Sequence, residues 1–132
     1  YGQMLFWEGN AIEAFYFSTS CGHTTDGSVW GSAGAALPYL QAVELRERRG
    51  TLDLTDNEVF DEYIRNKNIP SYDSSFPMYR WTTQISADLL SSKVEGVGQV
   101  QNMTVTQRGP GGIAQEIQIQ GSQGTSQIRT QS

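Results

Sequence analysis

One cysteine and one histidine are all that the chain has of either type. A single cysteine excludes an internal disulfide, and it leaves the redox compartment undecided. Clustered positive charge is missing as well. The net charge is −5 and no basic run is longer than Arg48-Arg49. Nucleic acid and anionic membrane surfaces both demand a concentrated positive field, so the composition speaks against either partner. No apolar run approaches the length of a membrane span, and no signal peptide is legible.

What is present describes a small globular unit. The 132 residues suit a single domain with a real core, covering 1–132. A hydrophobic fraction of 37% with 11% aromatic supports that core, while fourteen glycines make the chain loop-rich. The chain begins at Tyr1 without a methionine and stops in a polar stretch, so it reads as a fragment of something longer.

The chain is organised around Ala14-Phe-Tyr-Phe-Ser-Thr-Ser-Cys-Gly-His-Thr-Thr25, followed by Val29-Trp30-Gly31. An aromatic run turns abruptly into small hydroxylated residues, and the only thiol and the only imidazole sit there two positions apart. Strand alternation puts Ser18 and Ser20 on one face and Thr19 on the other. Gly22 permits a sharp turn beyond them, which lets Cys21 and His23 converge. Ser18 and Ser20, with Tyr39 and Tyr79 expected to frame them, are the candidate substrate contacts, and Cys21 and His23 the candidate metal ligands.

Three readings of Cys21 and His23 stay open. Cys21 is a small buried apolar residue and His23 a turn residue in the first. The second is a nucleophilic Cys-His pair, for which Cys-x-His spacing is no signature. The third is zinc, with thiolate and imidazole filling two of four positions and Asp26, water or residues outside the chain filling the rest.

Around this stretch the pattern predicts an α+β fold, mainly antiparallel β-sheet and hairpins with two short helices. Apolar runs at residues 4–7 and 11–17, split by Glu8-Gly9-Asn10, predict a hairpin. Residues 37–43 alternate loosely and predict a strand with Pro38 at its entry. The charged residues 44–50 read as a solvated strand end. Thr55-Asp-Asn-Glu58 fits a capping box before a helix whose face carries Val59, Phe60, Tyr63 and Ile64. Residues 79–85 predict a strand with Tyr79, Trp81, Thr83 and Ile85 on one face and Arg80 on the other. Ser86 caps a helix reaching about residue 94, and residues 100–107 and 113–120 pair across a glycine-rich turn, with a further short strand around Ile128. The aromatic core is expected to hold Phe6, Trp7, Phe15, Phe17, Trp30 and Trp81.

The same residues carry a resemblance. The 14–25 stretch, Val29-Trp30-Gly31, Pro38-Tyr39-Leu40, Val43-Glu44, Tyr79-Arg80-Trp81, Arg108-Gly109 ahead of Gly112, and the 121–129 stretch together resemble the core of the stage II sporulation protein D (SpoIID/LytB) family. The resemblance implies a bacterial cell-envelope protein, extracytoplasmic, acting on peptidoglycan glycan strands as a lytic transglycosylase or enhancing a partner amidase. Other cell-wall hydrolases are the implied protein partners, and the resemblance adds weight to zinc, since clostridial members carry a metal near this turn. The family's catalytic glutamate, in a Glu-Met-Pro type motif upstream, is not among these residues, and neither is the downstream Gly-His-Gly motif. The chain thus looks like the central part of a larger SpoIID-like domain.

Transglycosylase chemistry needs one carboxylic acid that protonates the leaving oxygen and then assists internal attack by a sugar hydroxyl. A hydrolase would need two acids facing each other across the bond. No compact carboxylate pair is legible. Two classes follow, an enzyme segment whose acid lies elsewhere and a non-catalytic glycan-binding module that activates a partner.

Overall fold

The first elements owe their shape to two loop residues. Phe6–Trp7 (β1) pairs antiparallel with Asn10–Ala11 (β2), Phe6 opposite Ala11 and Trp7 opposite Asn10. Glu8 and Gly9 between them have φ of 49° and 82°. A two-residue type I′ turn needs positive φ at both central positions, and an Xaa-Gly pair accepts that at low cost. The computed structural model describes residues 2–48 and 50–130. Within them the chain makes a two-stranded and a three-stranded antiparallel sheet with a few short helices, the expected α+β class.

The hairpin is shorter than its sequence pattern. Ile12 N donates to Leu5 O at 3.1 Å, and residues 12–17 then leave the ladder without forming a strand. A single 3-10 turn, Gly27–Trp30, leads into a short helix not foreseen from sequence, Gly31–Ala35 (α1). Gly27 and Gly34 lie face to face, and a Cβ on either would run into the other's carbonyl.

The strand expected at 37–43 does not form. Leu40 N closes a turn onto Leu37 O at 3.1 Å and Gln41 Nε2 reaches Pro38 O at 2.7 Å, which curls the segment. Only an isolated antiparallel bridge between His23 and Glu44 remains. The charged patch beyond it is partly built in. The Glu44 side chain is 8% exposed, lies 2.7 Å from Arg46 Nε and accepts from Gly50 N. Arg49 lies outside the described residues.

Asn57–Arg65 (α2) matches the expected helix, and Tyr63 is its buried residue, with Val59, Phe60 and Ile64 half-buried around it. The cap falls one residue later than the capping box placed it. Asp56 accepts from Glu58 N at 2.8 Å and Val59 N at 3.0 Å, while Thr55 Oγ1 is taken by Asp53. A short carboxylate at this position reaches two orphan amides at once. Ala87–Ser91 (α3) begins at Ser86, whose hydroxyl accepts from Leu89 N at 3.2 Å, and it ends earlier than the pattern suggested.

The strand expected at 79–85 is absent. Tyr79 and Arg80 are consecutive and both buried, 6% and 3% exposed, which no alternating strand allows. Arg80 has φ 50°, so the backbone turns there and delivers both side chains inward.

Val100–Arg108 (β3), Ala114–Gly121 (β4) and Thr125–Arg129 (β5) form the larger sheet in the order β3-β4-β5. Val105, Ile117 and Ile128 line up across the three strands, as do Met103, Ile119 and Ser126. Ile119 packs with Val97 and Val100, and Leu90, Val94 and Ile117 close over them. Helix α2 is fastened to this sheet by Arg108. Its guanidinium stands 4.0 Å from the Phe60 ring centroid, and it donates to Asn57 Oδ1 and Gly112 O, each at 2.7 Å.

The aromatic core expected from sequence is not the core. Phe6, Trp7, Phe15, Phe17, Trp30 and Trp81 are all between 42% and 60% exposed. The stretches holding them are too short or too irregular to have a second layer laid over them. Val97→Ala should therefore cost about 2 kcal/mol, because it empties a filled site. Phe6→Ala should stay within about 0.5 kcal/mol, as surface changes do, although it removes more carbon. Urea unfolding of both variants measures the contrast, and equal losses would restore the aromatic core.

Candidate functional site

The hydroxyl-rich turn is gripped at every residue from Ser20 to Thr24. Ser20 donates to Asp73 Oδ2 through its amide at 2.7 Å and its hydroxyl at 2.6 Å. Its Oγ in turn accepts from Gly22 N at 2.9 Å. The Cys21 carbonyl takes Arg80 Nε at 3.0 Å. Gly22, at φ +98°, lies beneath the Tyr63 and Tyr79 hydroxyls, and a Cβ there would come within 2.7 Å of Tyr63 Oη. Thr24 N donates to Val43 O at 2.8 Å, and Thr24 Oγ1 accepts from Val43 N at 2.8 Å. From the other side Gly111, at the tip of the C-terminal hairpin, presses on Thr24 so closely that a Cβ would strike its carbonyl.

Arg80 is the centre of this grip. Its guanidinium carbon lies 4.1 Å from the Tyr63 ring centroid and 4.8 Å from that of Tyr79. A second hydrogen bond runs from Nη1 to Asn66 O, at the C-terminal end of α2, where the helix dipole favours a cation. Burial raises the Tyr63 and Tyr79 phenols above their ordinary value of 10.0, with Arg80 pulling the other way.

The turn forms a wall of a cleft of about 530 Å³. Its apolar side is Phe15, Tyr16, Phe17, Val29 and Trp30; its polar side includes Ser20, His23, Thr25 and Asp26. Phe15 and Trp30 stack with centroids 4.9 Å apart and planes 20° from parallel. The volume and the mix of aromatic walls with a few polar groups are those of a small-molecule or sugar-sized site, commonly about 300–1,000 Å³. His23 Nδ1 lies 2.7 Å from Thr24 O. A carbonyl only accepts, so in the neutral ring Nδ1 holds the hydrogen and Nε2 is the acceptor. Asp26 accepts from Ser28 N at 3.1 Å and from Ser28 Oγ, capping the 3-10 turn.

Of the four candidate substrate contacts, Ser20 lines this cleft. Ser18 is exposed beside it. Tyr39 lies against Trp7, ring centroids 6.2 Å apart. Tyr79 is buried, donating to Ile69 O at 3.2 Å, and serves as scaffold against Gly22. Cys21 Sγ is directed to His23 O at 3.7 Å. Among the described residues no group of three or more His, Cys, Asp and Glu side chains comes together to hold a metal, so Cys21 and His23 supply two donors at most. Cys21 instead lines a smaller cavity of about 150 Å³ with Ser20, Ile64, Met78, Arg80 and Trp81. The residues missed from sequence are Phe15, Phe17 and Trp30 of the cleft's aromatic wall, assigned to the core, and Asp73, which lies 53 positions from the serine it holds. No local signal connects such a pair.

The structure is α+β, with an aromatic-walled cleft beside a turn held by hydrogen bonds. Residues 26–132 match a family described as a domain of unknown function (DUF8618), and the chain belongs to that family. No curated protein and no solved structure matches it.

Two outcomes test the grip. Gly22→Ala should destabilise by about 3 kcal/mol, combining positive-φ strain with overpacking. In a Tyr63→Phe background that added cost should shrink, because the nearest atom is gone. Additive losses in the double mutant would contradict the contact. The raised tyrosines set a pH window: the folded state keeps protons that the unfolded chain releases near pH 10, so their contribution is complete below that and is lost as pH rises through the folded values. Chemical denaturation from pH 8 to 12 should show stability falling above about pH 10, less steeply in Tyr63→Phe.

Proposed function

We propose that this chain binds the glycan strands of peptidoglycan in the aromatic cleft, as the central part of a SpoIID-like protein on the extracytoplasmic side of a bacterial envelope. The observation that carries the reading is the meeting of the Ser-Thr-Ser-Cys-Gly-His turn with the stacked Phe15 and Trp30 on one cleft. Pyranose rings present flat C–H faces that pack on aromatic planes, and their hydroxyls both donate and accept. The cleft supplies a matching acceptor in the His23 ring, with the hydroxylated residues Thr19 and Ser20 on the same wall.

Cleavage is a separate matter from binding. Asp26 is the one acid on the described wall, and it is engaged as a cap. In a transglycosylase reading the proton donor therefore comes from outside these residues. The same observation favours a second reading, a glycan-binding module that activates a partner amidase.

Trp30→Ala should weaken binding to purified peptidoglycan about tenfold, the effect of losing one stacking plane. Co-sedimentation with sacculi measures it, and unchanged affinity would remove the cleft from the reading. Muropeptide chromatography after incubation should show no anhydro products from the chain alone; their release would point to an acid within it.

A further inference from the structure

We propose that Cys21 is a site of oxidation by hydrogen peroxide, its sulfenic acid held by the guanidinium of Arg80. Both residues are on the wall of the small cavity of about 150 Å³, which the aromatic cleft borders through Thr19 and Ser20 but not through Cys21. That volume is about half the smallest usual for a sugar-sized site, so it excludes a glycan and admits a peroxide. Met78 and Trp81, 57% and 60% exposed, stand at its mouth, and Arg80, 3% exposed, at its floor. Cys21 itself is half-buried, and its thiol is free. The site is independent of whatever the aromatic cleft binds.

Arg80 sets this thiol apart from an ordinary lone cysteine. Its Nε donates to Cys21 O at 3.0 Å and its Nη1 to Asn66 O. Its Nη2 is buried with no hydrogen-bond partner among the described residues, and no carboxylate among them forms an ion pair with it. The Asp73 carboxylate is already bonded by Ser20. A buried cation with an idle N–H is costly and points to a group that completes it. An oxygen added to Cys21 is such a group, carried by the residue whose carbonyl the guanidinium already holds. The thiolate sulfur attacks one oxygen of hydrogen peroxide; the S–O bond forms as the O–O bond breaks, and the other oxygen leaves as hydroxide, which a buffer proton neutralises. Sulfur gives up two electrons and peroxide takes them, so the step is balanced without a further reductant. Negative charge builds on the departing oxygen, where a guanidinium on the cavity wall stabilises it. The sulfenic oxygen then accepts a charge-assisted hydrogen bond from Nη2.

Cys21 is the only thiol, so every thiol label reports this site. The purified chain is treated with hydrogen peroxide in buffer and in urea at one pH, and dimedone traps the sulfenic acid for mass spectrometry. Methionine sulfoxide at Met78 does not react with dimedone. Unfolding exposes the thiol, so access alone makes the unfolded chain the faster. Charge stabilisation by Arg80 reverses that order, and the folded chain should be trapped about tenfold faster. Iodoacetate and iodoacetamide both need the thiolate but differ in charge, so their rate ratio reads the neighbouring cation alone. That ratio should be about fivefold higher in the folded chain than in the unfolded one. Arg80→Gln should abolish both gains, and a folded variant that keeps either overturns the assignment. If that variant does not fold, the comparison within the native sequence still decides. Trapping no faster in the folded chain, an unchanged reagent ratio, or a disulfide-linked dimer as the main product of peroxide overturns the site.

Discussion

The buried guanidinium of Arg80 is the constraint on which the central part of the molecule depends. It is 3% exposed, held between two tyrosine rings, and bonded to carbonyls from two distant segments, Cys21 and Asn66. A desolvated charge is costly unless stacked and hydrogen-bonded, so the arrangement tolerates little displacement. It ties the end of α2 to the hydroxyl-rich turn, and the two tyrosines that sandwich it also roof Gly22. One side chain thereby fixes the helix, the turn and the loop carrying Tyr79 relative to one another.

The C-terminal sheet meets this centre through its glycine turn. Gly111 presses on Thr24 and Gly112 on the Phe60 ring, contacts that a side chain at either position would prevent. Arg108, next to that turn, stacks over the Phe60 ring and bonds Asn57. The sheet's own core of Val97, Val100 and Ile119 is small. Polar and cation–π fastenings, more than apolar burial, join it to the rest.

That economy of apolar burial is what leaves the aromatics uncovered. With Tyr63, Tyr79 and Arg80 filling the centre, Phe15, Tyr16 and Trp30 stay exposed and stand around an open cleft. The rigid turn then forms the opposite wall, with its hydroxyls and imidazole oriented by bonds to Asp73 and Thr24. Rigid polar groups facing apolar planes are a preorganised arrangement, which lowers the ordering cost of binding a flexible ligand.

Local chemistry determined much of the fold. The Glu8-Gly9 turn, the helix at Asn57–Arg65, the Ser86 cap and the strands from Val100 onward follow from turn residues, caps and periodicity that neighbours in sequence settle among themselves. Local chemistry also marked residues 14–25, most of which line the cleft. Tertiary structure alone decided which aromatics are buried, that Arg80 turns inward, that Tyr79 is scaffold while Phe15 and Trp30 face the cleft, and that Asp73 holds Ser20. The physical reason is common to all four. Periodicity predicts a face only where the backbone stays regular. Residues 12–17 and 79–86 are irregular, and there and in the adjoining turn the side-chain direction is set by contacts distant in sequence, such as Phe15 with Trp30, Ser20 with Asp73 and Arg80 with Cys21.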